Sequence, residues 1–182
     1  MDPEQRQRFP PTNTVLRDGR QIELSMIEPT DGPALADFYD SLPRETWRFY
    51  CPPRLTHADA KKKASLALSP THVVLLAEDP QTAEIVGYNW YKWVDETSRT
   101  SVFGICVRES HRGAGLAQAL MTRLLGIARE VGPPTMSLTV QLANARAIHL
   151  YTKMGFQIVR RQTRAAVEDF SAEPEYCMEQ AL

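Results

Sequence analysis

Residues 99–108 read R-T-S-V-F-G-I-C-V-R, and residues 109–120 continue E-S-H-R-G-A-G-L-A-Q-A-L. The first stretch is strand-like, mixing aromatic and β-branched residues. The second changes character halfway: a polar run, glycines at 113 and 115, then apolar residues at helical spacing. Together they predict a strand over 99–108, a glycine corner, and a helix over 113–131 stopped by Gly132-Pro133-Pro134. A buried strand over 135–141, T-M-S-L-T-V-Q, comes next. Strand, helix and strand in that order form a right-handed crossover, which puts the chain in the mixed α/β class.

The corner itself suggests chemistry. Glycine supplies backbone conformations other residues avoid, or clears room for backbone N–H groups to meet an anion at a helix N-terminus. The first N–H groups of the helix, over Arg112, Gly113, Ala114, Gly115, Leu116 and Ala117, have no intrahelical partner, and the helix dipole there favours negative charge. Arg112 adds a guanidinium suited to phosphate oxygens, so a pyrophosphate is the natural guest. The plain alternative is a tight turn beside an exposed arginine. No lysine followed by serine or threonine closes the loop, which rules out a Walker phosphate loop. A dinucleotide fingerprint is also poor, because Gln118 stands at the third glycine position and the acid near the required distance, Glu130, is still inside the helix.

A second stretch, N-A-R-A-I-H-L-Y-T-K-M-G-F over 144–156, predicts a helix over 143–153 ended by Gly155. Asn144, Ala147 and Tyr151 stand at i, i+3 and i+7 and share one face. A polar asparagine, a small alanine and a tyrosine on one stripe suit a cleft wall, while Leu150 and Met154 are expected in the core.

The rest of the chain frames these two stretches. Residues 1–14, M-D-P-E-Q-R-Q-R-F-P-P-T-N-T, offer little to bury and read as a flexible leader to a single domain over 15–182. A strand is expected over 21–27, then a helix over 31–41 capped by Thr30 and another over 57–68 capped by Thr56. Runs at 72–78 and 84–94, joined by Asp79-Pro80-Gln81-Thr82, form a hairpin. Runs at 156–167 and 175–182 form a terminal antiparallel pair. The 182 residues carry 21 basic and 22 acidic side chains, so bulk charge supports no nucleic-acid or membrane partner. Cys51, Cys106 and Cys177 are odd in number and widely spaced, against a disulfide framework or zinc site; no metal is expected. With no apolar signal core and no membrane-length apolar run, a cytoplasmic location is expected.

The two motifs together, V-R-E-S-H-R-G-A-G-L-A and then N-x-x-A-x-x-L-Y-x-K-x-G-F, resemble the GNAT superfamily of acetyl-CoA-dependent N-acyltransferases. The resemblance is specific across 99–160. A looser similarity to the branch that modifies protein lysines lies in L-R-D-G-R-Q-I-E-L-S-M-I-E-P-T-D and F-Y-D-S-L-P-R-E-T-W-R-F-Y, although Ser25-Met26 stand where that branch carries Arg-Pro. The family fold is a mixed, mostly antiparallel sheet with helices on both faces and a splay between its two central strands.

The resemblance implies that the turn over 112–117 binds the pyrophosphate of acetyl-CoA. Ser110 replaces a Gln or Arg the family often carries three places before the first glycine. Ile105, Cys106 and Val107 would pair with the pantetheine arm as an added strand does. A strand cysteine such as Cys106 is usually core packing rather than an acyl carrier. Asn144 would bond the pantetheine region, Lys153 would approach the adenosine phosphates, and Tyr151 would protonate the departing thiolate. A thiol of pKa about 8.5 and a phenol of about 10 suit that transfer. The acceptor would be a primary amine, in a small molecule, a lysine or an N-terminus. An amine of pKa about 10.4 is only about 0.04% neutral at pH 7, a deficit of about 4.6 kcal/mol, so something must take its proton. Val102 stands where the lysine-modifying branch carries a glutamate. Candidate replacements include Glu109, Glu45 and His72, or a water held by backbone carbonyls. Trp47, Tyr50, Tyr88, Trp90 and Trp93 are candidates for the acceptor pocket, with Tyr88 and Trp90 on one face and Tyr91 and Trp93 on the other. The missing glutamate leaves a second reading, an acyl-CoA-binding sensor or interaction module without catalysis. Acyl chains longer than acetyl also stay open, as does a homodimer, which is common in the family.

Overall fold

The computed structural model describes residues 3–50, 55–95, 97–168 and 170–182; Cys51 lies outside them. In chain order the elements are α1 (Pro3–Gln7), β1 (Thr12–Val15), β2 (Gln21–Met26), α2 (Gly32–Asp40), α3 (Arg44–Tyr50), α4 (His57–Ser65), β3 (His72–Asp79), β4 (Glu84–Lys92), β5 (Thr100–Val107), α5 (Leu116–Ala128), β6 (Thr135–Gln141), α6 (Ala145–Lys153), β7 (Gln157–Arg164) and β8 (Glu173–Ala181). The strands form one sheet in the order β1-β2-β3-β4-β5-β6-β8-β7. Each neighbouring pair is antiparallel except β5 and β6, the parallel pair that the crossover through α5 demands.

Period-2 alternation gives the sheet two apolar faces. Val73, Leu75 and Ala77 of β3 pack with Leu116, Leu120 and Leu124 of α5. Val74 and Leu76 pack on the opposite face with Leu35 and Phe38 of α2 and Ala60 and Ala64 of α4. In β4 the alternation slips once. The register passes from Glu78 opposite Ile85 to Ala77 opposite Gly87, which leaves Val86 without a partner in the ladder. Such a bulge shifts which side chains face each way, and from there Tyr88 and Trp90 share the α2 face while Tyr91 lies on the α5 face.

The two central strands part. β5 pairs with β6 only through Thr100–Thr135, Ser101–Met136 and Val102–Ser137. Two hydroxyls clamp the fork: Ser101 Oγ donates to Thr135 O at 3.1 Å and Ser137 Oγ donates to Ser101 O at 2.9 Å. Beyond it, β5 stays paired with β4 up to Val107, but its other edge has no strand partner among the described residues.

Three expectations change. Residues 3–14 are not a loose leader: they carry α1 and most of β1, and β1 pairs with β2 from Thr12–Leu24 to Val15–Gln21. Phe9 is buried in the α5-face core, and Arg6 donates to Ala67 O, Ile27 O and Glu28, so this segment is held by partners distant in sequence. Thr30 does not cap α2. It sits inside a single 3-10 turn, Pro29–Asp31, where Glu28 N–H donates to Asp31 Oδ2 at 2.7 Å. Thr56 does cap α4, in a reciprocal box with Asp59. Finally, α3 forms where no helix was expected, with Trp47 buried and edge-on to Tyr39.

Candidate active site

The fork opens into a cleft of about 420 Å³. Ile105, Cys106 and Val107 of β5 form one wall, Asn144, Ala147 and Tyr151 of α6 another, and Arg112 and Ala117 close the end at the glycine corner. Thr46, Phe49 and Tyr50 of α3 cover it. Residues expected to act together from two separate stretches thus line a single space.

The corner is built from backbone geometry. Gly113 has φ +82° and Gly115 φ +101°, conformations that residues with a Cβ rarely adopt. A Cβ on Gly113 would meet no atom within 4 Å, so space outside that residue is open. Gly115 caps α5, whose ladder begins with Ala119 N–H donating to Gly115 O at 3.0 Å. The N–H groups from Gly113 to Gln118 precede that ladder and suit an anion. Ala114 is buried and its carbonyl accepts the Arg17 N–H at 3.0 Å, while Leu116 is buried in the core, so both contribute backbone rather than side chains. Asn89, wholly buried on β4, holds α5 to the sheet by donating to Leu120 O at 2.9 Å.

Arg112 turns inward. Its Nε donates to Val107 O at 3.1 Å and its Nη2 to Thr46 Oγ1 at 2.6 Å, which ties the end of β5, the corner and α3 together. The second arginine of the lining, Arg146, comes from the first turn of α6. Asn144 is the N-cap of α6, and its Oδ1 accepts from Ala147 N–H at 3.2 Å, so one of its polar atoms is committed to the helix. Lys153 lies outside the lining, where its Nζ donates to Gln118 Oε1 at 3.4 Å. Leu150, expected in the core, lines the cleft.

Tyr151 is 9% exposed, packed edge-on to Phe103 and beside Phe156. Burial pushes its phenol well above the ordinary value, with the Cys106 thiol adding in the same direction, so it stays protonated at neutral pH. Cys106 is 4% exposed and faces the α2-side core with Tyr88.

The candidate proton acceptors separate. Glu109 lines the cleft; Glu45 and His72 do not. His72 closes the far end of β3 with Ser69 and Thr71 around its Nδ1. Val102 is 46% exposed at the fork. Of the candidate aromatic residues, Tyr50 alone lines the cleft among the described residues; Tyr88 and Trp90 lie behind it and Trp93 stacks on Tyr91 across the sheet. Sequence reasoning missed the contribution of Thr46, Phe49 and Arg146. It also passed over Glu175, a buried carboxylate at the start of β8 whose Oε1 accepts from Gln162 Nε2 at 2.7 Å. No group of three His, Cys, Asp or Glu suited to a metal ion occurs among the described residues. Among the described residues, no helix is long and apolar enough to cross a membrane.

Comparison with known proteins finds the same fold and a family. Among solved structures, the GNAT domain of S. lividans PAT superposes with a TM-score of 0.76 at 22% identity, covering 94% of this chain and 97% of that one. The yncA protein of Salmonella typhimurium, solved with its cofactor acetyl-CoA, gives 0.75 at 19% identity over 88% of this chain and 94% of that one. In sequence, a mycothiol acetyltransferase of Propionibacterium freudenreichii is 30% identical over 107 residues, 58% of this chain and 34% of that protein. A streptothricin acetyltransferase of Streptomyces lavendulae is 34% identical over 83 residues, 46% of this chain and 42% of that protein. The matches therefore span about a third to two fifths of the length of these relatives. The profile of the acetyltransferase (GNAT) family matches residues 33–156, well over half of the sequence. The chain belongs to the acetyltransferase (GNAT) family.

Proposed function

We propose that the chain transfers an acetyl group from acetyl-CoA to a primary amine by direct attack, with Tyr151 as general acid. The observation that carries this reading is the single cleft joining an unpaired strand edge, an anion-ready glycine corner and a buried, protonated phenol. The open edge of β5 beyond Val102 offers N–H and C=O groups to the pantetheine amides, as a neighbouring strand would. The N–H groups of 113–118 and the guanidiniums of Arg112 and Arg146 suit the pyrophosphate. In the reaction the amine nitrogen bonds to the acyl carbon, the carbon–sulfur bond breaks, and the Tyr151 phenol donates its proton to sulfur. Glu109, on the cleft wall, receives the amine proton directly or through water; this replaces the carboxylate that Val102 lacks.

The names of the relatives put amines resembling mycothiol and streptothricin first among acceptors to be tried. A panel of small amines, polyamines and peptides with acetyl-CoA, read by thiol release, tests the activity. Tyr151→Phe should lower turnover at least tenfold with acetyl-CoA binding nearly intact, whereas equal loss of both would remove the acid role. A second reading is favoured by the valine at 102: the cleft binds acyl-CoA as a sensor. Calorimetric CoA binding without thiol release for any acceptor would select it.

A further inference from the structure

Tyr50 ends α3 with its ring in the cleft lining and its hydroxyl in a buried polar network. Trp90 Nε1 donates to Tyr50 Oη at 2.9 Å. Tyr39 Oη donates to Tyr88 Oη at 3.2 Å, and the hydroxyls of Tyr88 and Tyr50 are hydrogen-bonded to each other. Tyr39 and Tyr88 are wholly buried.

Counting hydrogens fixes the direction of each bond. An indole N–H and a phenol each have one hydrogen to give. The Trp90 hydrogen goes to Tyr50 and the Tyr39 hydrogen goes to Tyr88. Tyr88, closed off from water, must place its own hydrogen on an acceptor, and the Tyr50 oxygen is the one beside it. The Tyr50 oxygen then accepts twice, and these bonds, drawn from the described residues, leave its own hydrogen uncommitted within the Tyr39–Tyr88–Trp90 network. The open side of that ring is the cleft.

We infer that Tyr50 is a hydrogen-bond donor to the acyl carbonyl oxygen, held in that role by Trp90 and Tyr88. This rests on the acetyl-transfer reading above. Attack of an amine on a thioester develops negative charge at two atoms, the carbonyl oxygen and the leaving sulfur. The cleft lining supplies two phenols along with Cys106, Tyr50 from α3 and Tyr151 from α6. Both stay protonated, because burial raises each above the ordinary phenol value, and both feel the Cys106 thiol. Tyr151 gives its proton to sulfur. Tyr50 keeps its proton throughout and strengthens its bond as the oxygen becomes negative, the action of an oxyanion donor placed in advance.

The test uses the full chain and acetyl-CoA labelled with carbon-13 at the carbonyl, without an acceptor. Isotope-edited infrared spectra of the complex should show the carbonyl stretch at lower frequency on the wild type than on Tyr50→Phe, with acetyl-CoA affinity within about threefold. Removal of one such donor lowers kcat by about 100-fold in comparable sites, and that is the loss expected for Tyr50→Phe with any acceptor the panel yields. Trp90→Phe, which keeps Tyr50 but removes one of its two restraints, should give part of both effects. An unchanged carbonyl stretch, or a change confined to the KM of the amine, would overturn the assignment while leaving acetyl transfer intact. Failure of the wild type to bind acetyl-CoA would overturn both.

Discussion

The indole of Trp90 packs against the backbone of Gly104, its cross-strand partner on β5: a Cβ placed on Gly104 would come within 2.7 Å of the ring. The same ring donates through Nε1 to the Tyr50 hydroxyl, so a strand glycine without a side chain makes room for the group that restrains Tyr50. Gly104→Ala must displace the ring. Overpacking of this kind costs about 1–3 kcal/mol. Thermal melts should show that destabilisation, and kcat should fall about tenfold while acetyl-CoA affinity changes little.

The glycine corner separates backbone strain from ligand space. An alanine at Gly113 keeps a left-handed conformation that costs about 1–2 kcal/mol, and its Cβ meets no protein atom. It does project toward the proposed pyrophosphate. Gly113→Ala should raise the KM for acetyl-CoA tenfold or more with a Tm loss of only a few degrees. A KM close to wild type in a folded variant would move the phosphate site elsewhere.

Asn144 has two duties that substitution can split. Its Oδ1 caps α6, and losing an N-cap costs about 1 kcal/mol, or about 2–4 °C in a chain of this size. Asn144→Ala should lose both stability and CoA affinity. Asn144→Ser retains a capping oxygen, so it should recover most of the Tm while calorimetry still shows weakened CoA binding.

His111 gives the corner an acid limit. It is 8% exposed, and burial holds its pKa below the ordinary 6.5; Arg20 and Arg108 act in the same direction, Asp79 and Asp18 against it. The unfolded chain therefore binds this proton more readily than the folded one. Stability from a neutral His111 is complete above about pH 6.5 and is lost as the pH falls toward the folded value. His72 shifts the same way, through burial and then Lys63 and Lys92. The Tm should drop between pH 7.5 and 5.5, and drop less in His111→Gln. Equal slopes for the two proteins would assign the acid limit to other groups.

The parts of the fold written in local pattern could be read directly from sequence. The helix 113–131, the strand 135–141, the Thr56 cap and the Asn144–Tyr151 face each depend on residues a few places apart. What escaped reading depends on distant partners. Seven residues, R-E-T-W-R-F-Y, are too few for a helical period to show, and α3 is held by Trp47 against Tyr39 and by Arg112 reaching Thr46. Residues 3–9 look unburiable until Arg6 finds Ala67 and Phe9 finds the core. The face of the sheet that Tyr88 and Trp90 occupy was undecidable from alternation alone, because the bulge at Val86 resets it. The donor direction of Tyr50 needs three side chains from α2 and β4 at once.

The fork at Val102 and Ser137 also divides the molecule mechanically. Strands β1 to β5 form one sheet half and β6, β8 and β7 the other, and among the described residues the strand pairing between them runs only from Thr100–Thr135 to Val102–Ser137. Amides on that short seam report whether the two halves stay joined. Slow hydrogen exchange at Ser101 and Val102 would mark a jaw of fixed gape. Exchange faster there than in the β3–β4 hairpin would mark a hinge, with the two halves opening as separate cooperative units below global unfolding.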